Sequence, residues 1–384
     1  MSTFPDDLAG ERLRDVLAGS HYDVIIVGAR VAGCSLAALL GDAGDRVLIV
    51  DRAAFPSPTI STHFFRGAGL VSVLQRLGLL ERVLALGAPR LDRQYNYAGG
   101  TAEATVGPPQ DPGSVGYCMS VRREPLDHLL ADRACCSRSV DLLQRTRADA
   151  LLWDADRVCG ARLTTPAGER SVRARVVVGA DGRHSFVARA ARAPEEDRQR
   201  GCRALYYSYL RDFPAANGEC VDGAEFSLLD DEMGYVFPSD AGFTCLALSV
   251  NLAAFSSMRK DLTTRFIERL SRHKAIGRRL AAAGGLGKVL GSGPEPSYVR
   301  TPAGPGWALV GDAGMHQDPW TGVGMDNASR HATFLADALG GWLGGDSSET
   351  DAMSSYRERR NEHAMESYRR TTTVAPDLRQ LAQP

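Results

Sequence analysis

Runs of apolar residues alternate with polar stretches along the chain, and their lengths predict a particular order of strands and helices. Residues 23–27 and 46–50 form short, nearly continuous apolar runs, as strands do when a parallel sheet is covered on both faces. Between them, 31–41 has the small residues and apolar spacing of a helix. The three segments together predict a strand–helix–strand unit.

The rest of the chain predicts strands and helices in unequal proportions. Leucine and valine at helical intervals over 66–88 predict one or two amphipathic helices. Several apolar runs within 202–250, separated by acidic or glycine-bearing turns, predict an antiparallel sheet. Further predicted elements, in chain order, are a helix at 126–134, a hairpin of 148–153 with 158–164, a strand at 176–179, helices within 254–283, a strand at 307–310, and helices near 321–342 and 349–371.

Strand and helix alternate early, strands dominate the middle, and the end of the chain returns to a strand followed by helices. This order predicts an α/β fold in which one nucleotide-binding domain is assembled from separated segments. A sheet-bearing domain is inserted between those segments. The first 20 residues are polar and predict a short N-terminal extension.

Composition and charge narrow the class of protein. The 384 residues are 44% hydrophobic and 24% charged, as in most globular proteins, and 45 basic against 46 acidic side chains leave a net charge of -1. This balance disfavours nucleic acid as a partner. The lack of a long apolar run and of a charged-then-apolar leader predicts a cytoplasmic protein without a membrane span. The eight cysteines include no C-x-x-C pair, which disfavours a metal site and a disulfide framework.

The turn after the first strand carries the first chemical signal. Gly28 and Gly33 occupy the first and last glycine positions of G-x-G-x-x-G, and Asp51 ends the second strand. Such a turn brings a pyrophosphate to a helix N-terminus, while a strand-end carboxylate accepts hydrogen bonds from ribose hydroxyls. The segment therefore predicts a nucleotide site.

Arg30 stands where the middle glycine of that pattern is expected. A side chain at this position has to point outward, because the backbone and the pyrophosphate approach each other closely. Two interpretations follow from the sequence. The guanidinium meets a phosphate or a neighbouring carboxylate, or it faces solvent beside a slightly wider turn.

Two later turns repeat the arrangement of a buried strand followed by glycine and aspartate. VVVGADGRHS at 176–185 places Asp181 after one strand, and WALVGDAGMHQDPWTGVGMDNA at 307–328 places Gly311 and Asp312 after another. Taken alone, a strand-end aspartate is more often a cap than a ligand. All three turns in this order are much more specific for a nucleotide site.

With these motifs the sequence resembles the FAD-dependent monooxygenases of the para-hydroxybenzoate hydroxylase fold, in the UbiH-like branch that shares its fold with geranylgeranyl reductases and flavin halogenases. The resemblance covers nearly the whole chain and includes STHF at 61–64, VRREPLDHLL at 121–130 and GYVFPSDAGFTCLAL at 234–248. It implies a Rossmann-like FAD-binding domain of the GR2/PHBH type, an inserted, mainly antiparallel-sheet substrate domain, and C-terminal helices. The arginine at the middle-glycine position is the clear departure, although GAR turns are familiar in this branch.

The resemblance also implies how the chain divides. The extension is 1–20, the FAD-binding domain is 21–65 with 111–190 and 296–345, the substrate domain is 66–110 with 191–295, and the C-terminal helix and tail are 346–384.

In this family the first turn lies along the FAD pyrophosphate, an arginine that begins an R-x-x-L helix reaches the cofactor, and the GADG aspartate supports FAD and the reduced nicotinamide. Arg123, with Leu126 three residues on, matches that arginine, and Arg122 is a weaker match. NADH or NADPH is implied as the transient reductant and O2 as co-substrate. The implied FAD-contacting residues are Gly28, Arg30, Gly33, Asp51, Arg52, Arg122, Arg123, Asp181, Gly311, Asp312, Pro319, Gly322, Val323, Gly324 and Met325.

A physical argument supports the role of 319–327 beside the resemblance. Reduced flavin carries negative charge around N1, and a glycine-rich helix N-terminus supplies N–H donors and a favourable dipole there. Gly322 and Gly324 leave room for oxygen and substrate. An imidazole titrates near neutrality and can relay a proton, but a histidine in a turn is more often solvated or bonded to backbone. The candidate catalytic residues are His63, His316 and Asp318.

The sequence thus predicts an FAD-dependent monooxygenase that uses NAD(P)H and O2 to hydroxylate, epoxidise or N-oxidise a small organic substrate, natural products included, through a flavin C4a-hydroperoxide. A reductase of the geranylgeranyl reductase type and a non-redox FAD-binding protein are the alternatives. A halogenase fits less well, because the sequence lacks the W-x-W-x-I-P pattern of tryptophan-type halogenases and a lysine placed to trap hypohalous acid.

Overall fold

The computed structural model describes residues 21–61, 63–98, 101–106 (as backbone), 115–215, 223–258 and 260–382, so the predicted N-terminal extension lies outside it. Its strands are β1 (His21–Val27), β2 (Val47–Val50), β3 (Phe64–Phe65), β4 (Arg93–Ala98), β5 (Thr101–Val106), β6 (Met119–Ser120), β7 (Val140–Leu143), β8 (Arg147–Asp154), β9 (Arg157–Thr165), β10 (Gly168–Gly179), β11 (Glu195–Gln199), β12 (Arg203–Arg211), β13 (Gly223–Leu229), β14 (Glu232–Pro238), β15 (Phe243–Asn251), β16 (Leu290–Ser292), β17 (Ser297–Arg300), β18 (Ala303–Gly304), β19 (Trp307–Leu309) and β20 (Met315–His316).

The α-helices are α1 (Val31–Ala43), α2 (Ser72–Arg76), α3 (Leu80–Leu84), α4 (Arg123–Ala134), α5 (Phe186–Ala190), α6 (Leu252–Met258), α7 (Leu262–Arg272), α8 (Lys274–Ala282), α9 (Gly324–Leu343) and α10 (Glu349–Val374). Shorter helical turns are the π-helical turn Gly67–Val71 and the 3-10 turns Asp240–Gly242, Gly311–Ala313, Pro319–Thr321 and Leu378–Ala382. None of the described helices combines the length and the apolar composition that crossing a bilayer requires.

The first sheet is the nucleotide-binding type that the opening pattern predicts. Its strand order is β18-β19-β10-β1-β2-β7, and β19, β10, β1, β2 and β7 run parallel. The hairpin β8–β9 continues antiparallel from the first half of β10, which confirms the predicted hairpin. Helices α1, α4 and α9 share one core with the sheet, whereas the hairpin and α5 cover its other face. Because both faces are covered, the strands are apolar almost throughout.

The second sheet has the order β16-β12-β15-β14-β13-β4-β5. Its pairs are antiparallel apart from β13 with β4, which is parallel. Side chains on β12 alternate between two cores: Tyr206 packs beneath α6, α7 and α8, whereas Tyr207 faces Phe64 and Trp320, which lie outside this sheet. The mainly antiparallel inserted sheet is therefore confirmed.

The segment 66–88 is helical, as predicted, but less regular than one or two continuous amphipathic helices. It forms the π-helical turn and the short helices α2 and α3, because Gly67, Gly69 and Gly78 interrupt the helical pattern. Its buried residues, such as Leu70 and Leu74, pack in the same core as α1 and α9 rather than in either core of the second sheet. The sequence had placed this segment with the substrate domain.

The C-terminal helices close the molecule around the first sheet. Helix α9 packs against α1, and α10 packs against α9. The Tyr356 hydroxyl, buried on α10, donates to the carbonyl of Leu309 in β19 at 2.6 Å. A small sheet, β11-β17-β20, lies near this end of the chain.

Candidate active site

Four turns meet at one edge of the first sheet. They follow β19, β10, β1 and β2, which are neighbours and run parallel, so their carboxyl ends lie side by side. The Gly28 N–H donates to Val50 O at 2.8 Å, and the Ala180 N–H donates to Val27 O at the same distance. In open α/β sheets, ligands bind outside these carboxyl ends.

The first turn has the space that a pyrophosphate needs. Gly28 has a φ of +108°, and a Cβ there would lie 2.4 Å from Ala180 O; a Cβ at Gly33 would lie 1.8 Å from Gly28 O. Arg30 has ordinary extended angles, with φ -113° and ψ -159°, so the backbone requires the two outer glycines and not the middle one. The side chain of the N-cap residue, Arg30, does not cap α1, which leaves N–H groups at this N-terminus for an anion. These features fit FAD.

Arg30 lies against a carboxylate. Its Nη1 is 2.7 Å from Oδ2 of Asp127, whose side chain is fully buried on α4. Asp127 also receives Nε and Nη2 of Arg123, each at 3.0 Å. Of the two interpretations of Arg30, the structure shows the carboxylate partner.

Asp51 and Arg52 follow β2 and point in different directions. The Asp51 carboxylate is buried and accepts the N–H groups of Ala29 and Ala53, each at 2.8 Å, so it holds the first turn against β2. Each oxygen keeps a lone pair that a ribose hydroxyl can use. Arg52 is exposed.

Arg122 precedes α4 and is held by the second sheet. Its Nε and Nη2 donate to Oδ2 of Asp240 at 2.9 and 2.7 Å, and its guanidinium lies 4.3 Å from the centre of the Phe243 ring. Arg123 begins α4 and uses only Nε and part of Nη2 on Asp127. Each guanidinium thus keeps three N–H donors, two on Nη1 and one on Nη2, without a partner among the described residues, and Arg123 is the more deeply buried of the two, at 11% exposed against 32%.

Asp181 follows β10, and only one of its two carboxylate oxygens accepts hydrogen bonds from the described residues. Its Oδ2 accepts the N–H groups of Phe186 at 2.6 Å and Val187 at 3.3 Å, at the start of α5. Its Oδ1 is buried without a partner among the described residues, and burial raises the pKa of the carboxyl. An unsatisfied buried oxygen at this edge is suited to receive a hydroxyl of a ligand.

Gly311 and Asp312 form the turn after β19. Gly311 has a φ of +58°, where an L side chain is strained. The Asp312 carbonyl accepts the hydroxyl of Tyr298 at 2.6 Å, which fixes the turn and leaves the carboxylate, half-buried, beside the Asp181 turn.

The segment 318–325 leads into the N-terminus of α9. Asp318 caps the turn Pro319–Thr321 by accepting the Trp320 N–H at 3.1 Å, and Gly322 follows with a φ of +67°. Helix α9 begins at Gly324 without a side-chain cap, and a Cβ on that glycine would meet nothing within 4 Å. Open space at an uncapped helix N-terminus fits an anionic flavin ring. Of the neighbouring predicted contacts, Val323 is exposed in part and Met325 is buried.

A pair that the sequence did not reveal, the buried Asp326 and the partly exposed Arg66, holds this loop in place. Asp326, in the first turn of α9, accepts the backbone N–H groups of Arg66 and Leu70, each at 3.0 Å. The guanidinium of Arg66 donates to Thr321 O at 3.0 Å. A Cβ on Gly69 would lie 2.1 Å from Asp326 Oδ1. The glycines of 67–69 were the available signal for this close approach.

His63 is buried beneath the second sheet. Its Nε2 is 2.7 Å from the Tyr209 hydroxyl, and its ring meets those of Tyr207 and Tyr209 edge-on at 5.1 and 5.3 Å. Burial, together with the positive charges of Arg123 and Arg122, holds the pKa of His63 well below its usual value, so the imidazole is neutral. Two tyrosines that sequence reasoning did not select thus define the surroundings of this histidine.

His316 and Asp318 contact a different part of the molecule from His63. The Nδ1 of His316 is 2.8 Å from Pro296 O, and the ring packs against Tyr298. Asp318 receives no bond on Oδ2 from the described residues, and burial raises its pKa to about 6. Both residues are therefore held around the small sheet β11-β17-β20 and the loop after it.

Comparison with known proteins agrees with this geometry. The model of the FAD binding domain family matches residues 21–218. Digeranylgeranylglycerophospholipid reductase 2 of Methanopyrus kandleri is 28% identical over 369 residues, which cover 92% of this chain and 85% of the reductase.

Two solved structures share the architecture. PqsL of P. aeruginosa in complex with 2-aminobenzoylacetate has a TM-score of 0.80 at 25% identity and covers 94% of this chain and 99% of PqsL. The myxobacterial chondrochloren halogenase CndH, an FAD-dependent halogenase, has a TM-score of 0.80 at 23% identity and covers 91% of this chain and 81% of CndH. The chain belongs to the FAD-binding domain family and has the fold of the para-hydroxybenzoate hydroxylase type of flavoprotein.

Proposed function

We propose that this flavin-dependent oxidoreductase is a monooxygenase, which uses NADH or NADPH to reduce FAD and transfers one atom of O2 to a small organic substrate. The observation that carries the proposal is the aromatic wall beside the glycine loop. A Cβ added at Gly322 would lie 3.7 Å from the ring of Phe64. Phe64 in turn stacks on Phe237 of the second sheet, with ring centres 4.7 Å apart. Such a site keeps out water, which protects reactive intermediates of oxygen chemistry.

The side chains of the site would serve binding, orientation and exclusion of water. FAD, when bound, supplies the redox chemistry. The N-terminus of α9 would stabilise negative charge on the ring, and Arg123 would bind the cofactor's phosphates. His63 is neutral and hydrogen-bonded to Tyr209, so it offers a substrate a hydrogen bond without a charge. Asp181 would orient FAD through its free Oδ1.

The division of the chain is part of the proposal. We propose that 21–65, 111–190 and 296–345 bind FAD, as predicted, and that the substrate sheet begins near residue 90 instead of residue 66. The packing of 66–88 in the core of α1 and α9 supports this change. The strands that remain, β4 and β5 with β12 to β16, lie in the second sheet and would shape the substrate pocket.

A reductase is the second candidate, because the M. kandleri reductase resembles this chain over most of both sequences. A halogenase is disfavoured by the position of the lysines. The chain has three, Lys260, Lys274 and Lys288, and all lie among the helices and loops that cover the face of the second sheet turned away from Phe64.

The test measures reduction of the flavin by a nicotinamide and transfer of oxygen to a substrate in two separate steps. The FAD-loaded protein is first mixed with NADH or NADPH without oxygen, and bleaching of the oxidised flavin absorbance is expected. It is then supplied with 18O2 and either 2-aminobenzoylacetate or a digeranylgeranyl glycerophospholipid, and products are analysed by mass spectrometry. A monooxygenase adds one 18O atom to its product.

Two results would overturn the proposal. A gain of two hydrogens by the lipid, with or without oxygen, would establish the reductase. A flavin that neither nicotinamide reduces would indicate a non-redox protein.

A further inference from the structure

The guanidinium of Arg30 is almost fully occupied by protein partners. Its Nη1 donates to Asp127 Oδ2 at 2.7 Å and Ser57 O at 3.2 Å, and its Nη2 donates to Ser57 Oγ at 2.9 Å and Pro58 O at 3.4 Å. A guanidinium has five N–H donors, of which the two terminal nitrogens carry four. Among the described residues only the Nε–H finds no partner, so Arg30 has little to offer a phosphate.

Asp127 connects Arg30 to Arg123. Its carboxylate is fully buried and accepts Arg123 Nε on Oδ1 and Arg123 Nη2 on Oδ2, a bidentate pair that fixes the plane of that guanidinium. Three N–H donors of Arg123 remain, two on Nη1 and one on Nη2, without a partner among the described residues. Two arginines on one carboxylate leave a net positive charge. Arg123 has the N–H donors with which a bound phosphate can form hydrogen bonds next to that charge.

We propose that Arg30 and Asp127 are positioning residues for Arg123. Arg30 ties Asp127, through hydrogen bonds, to the first turn and to the loop at Ser57. Asp127 in turn fixes the guanidinium of Arg123, so that the Arg123 N–H groups without a protein partner face the FAD phosphates. The arginine at the middle-glycine position is tolerated because the backbone there has an ordinary φ. Its role is to set the geometry of a second arginine instead of binding the cofactor itself.

The arrangement also joins three parts of the cofactor site. Arg30 lies on the turn between β1 and α1, Ser57 lies on the loop after β2, and Asp127 lies on α4. The ring of Phe55 lies 5.5 Å from the Arg30 guanidinium and covers it from the same loop. Without Arg30, the carboxylate of Asp127 would lose its link to the first turn, and the guanidinium of Arg123 would no longer be held in one orientation.

The test is a double-mutant cycle on FAD affinity, measured by quenching of FAD fluorescence as apoprotein is titrated. R30M, D127N and R123M are each expected to raise the FAD Kd by roughly tenfold or more, since each removes charge-assisted hydrogen bonds. The decisive variant is R30M/R123M. If Arg30 acts only through Arg123, the double variant binds FAD no more weakly than R123M does.

The control is R170M. Arg170 is an exposed arginine near the start of β10, and its Nη1 donates to the carbonyl of the preceding Glu169. Its FAD Kd should equal that of the unmodified protein, which separates the effect of Arg30 from a general loss of positive charge.

Additive effects of R30M and R123M would show that Arg30 contacts the cofactor directly and would overturn the proposal, as would an R30M protein with unchanged Kd. If R30M fails to fold, S57A replaces it, because it removes one contact of Arg30 without leaving a buried charge. S57A should raise the FAD Kd by roughly two- to threefold and have no effect in the R123M background.

Discussion

Asp318 is a carboxyl group whose burial is only partly compensated. Its Oδ1 caps the turn Pro319–Thr321 through the Trp320 N–H, while Oδ2 has no partner among the described residues. It borders a cavity of about 280 Å³ that is also lined by Cys202 and Ser297. Burial raises the pKa of Asp318 to about 6 from a normal value of 3.8, although the positive charge of Arg203 opposes the shift. The charged form is therefore the costly one.

We expect D318N to stabilise the protein at pH 8 and to leave its stability unchanged near pH 3.5. Below pH 3.8 the carboxyl is protonated in folded and unfolded chains alike, and between pH 3.8 and about 6 the unfolded chain ionises first, which destabilises the fold. Above pH 6 the penalty is constant at about 3 kcal/mol, from 1.36 kcal/mol per pKa unit. An asparagine keeps the oxygen that caps Trp320.

Urea denaturation of both proteins between pH 3.5 and 8 measures this difference in unfolding free energy, and the acid end of the series serves as the control. A gain that is equal at every pH would mean that the side chain volume, and not the charge, causes it. A loss at pH 8 would mean that the carboxylate has a cationic or hydrogen-bonding partner in solution.

Individual residues show where sequence reasoning stops. The outer glycines of the first turn were predictable, because φ and close backbone approach restrict those positions to glycine. The partner of Arg30 was not, since Asp127 is 97 positions away and contact between them depends on how α4 packs on α1. Tyr209 was missed for the same reason: a strand pattern shows which face a side chain is on, but it does not show that His63 lies opposite.

At the level of elements, the N-terminus of α9 is the part of the site that depends least on side chains. It has no side-chain cap, and Gly322 and Gly324 precede or begin it. A helix N-terminus in this state attracts negative charge through its free N–H groups and its dipole.

We expect G324A to weaken FAD binding without destabilising the protein. A methyl group there would touch none of the described residues, and alanine favours the helix over glycine by up to about 1 kcal/mol. The methyl group would, however, occupy space proposed for the flavin ring. The expected rise in FAD Kd is roughly tenfold, measured by fluorescence titration alongside thermal unfolding of the apoprotein.

G340A is the matched control, because Gly340 lies in the same helix and a Cβ on it also meets nothing within 4 Å. It should stabilise the protein by a similar amount and leave FAD affinity unchanged. If the two variants bind FAD equally well, the flavin ring does not lie at the N-terminus of α9.

Helices and strands were predictable where a short stretch of sequence defines them, and less so where they depend on contacts between distant parts of the chain. Strands β1, β2 and β19 are apolar runs buried on both faces, and the residues that follow them mark their ends: Gly28 after β1, Asp51 after β2 and Gly311 after β19. The segment 66–88 was harder, since leucines at helical spacing look the same whichever core they pack against. The parallel pairing of β13 with β4 joins strands far apart in sequence, and no short-range pattern encodes it.

At the scale of the whole molecule, the C-terminal segment connects both sheets. Tyr356 on α10 binds β19 of the first sheet, and Thr371 further along α10 accepts the indole N–H of Trp320 at 3.4 Å. Leu378 then donates its N–H to Asp231, in the turn between β13 and β14 of the second sheet, at 2.8 Å. The two sheets and the proposed flavin loop are thus held by one length of chain.

Arg203 is the buried anchor of this connection. It is 1% exposed and donates to Asp231 Oδ1 at 2.8 Å, Ser249 Oγ at 2.9 Å and the carbonyl of Ala375 at 3.2 Å. The last of these bonds reaches from β12 to the end of α10. Removing the guanidinium would leave a half-buried Asp231 without its cation and free the C-terminal end.

We therefore expect R203M to lower the free energy of unfolding by about 3–5 kcal/mol, the usual cost of removing one partner from a buried ion pair. Because the C-terminal segment touches both sheets, flavin release and tryptophan fluorescence should report one shifted transition in urea. R379M is the control: Arg379 is exposed, pairs with Asp377 two residues away, and its loss should leave the urea transition where it is in the unmodified protein. Two separate transitions in R203M, with flavin released at the original urea concentration, would instead show that the first sheet binds FAD and folds independently of the second.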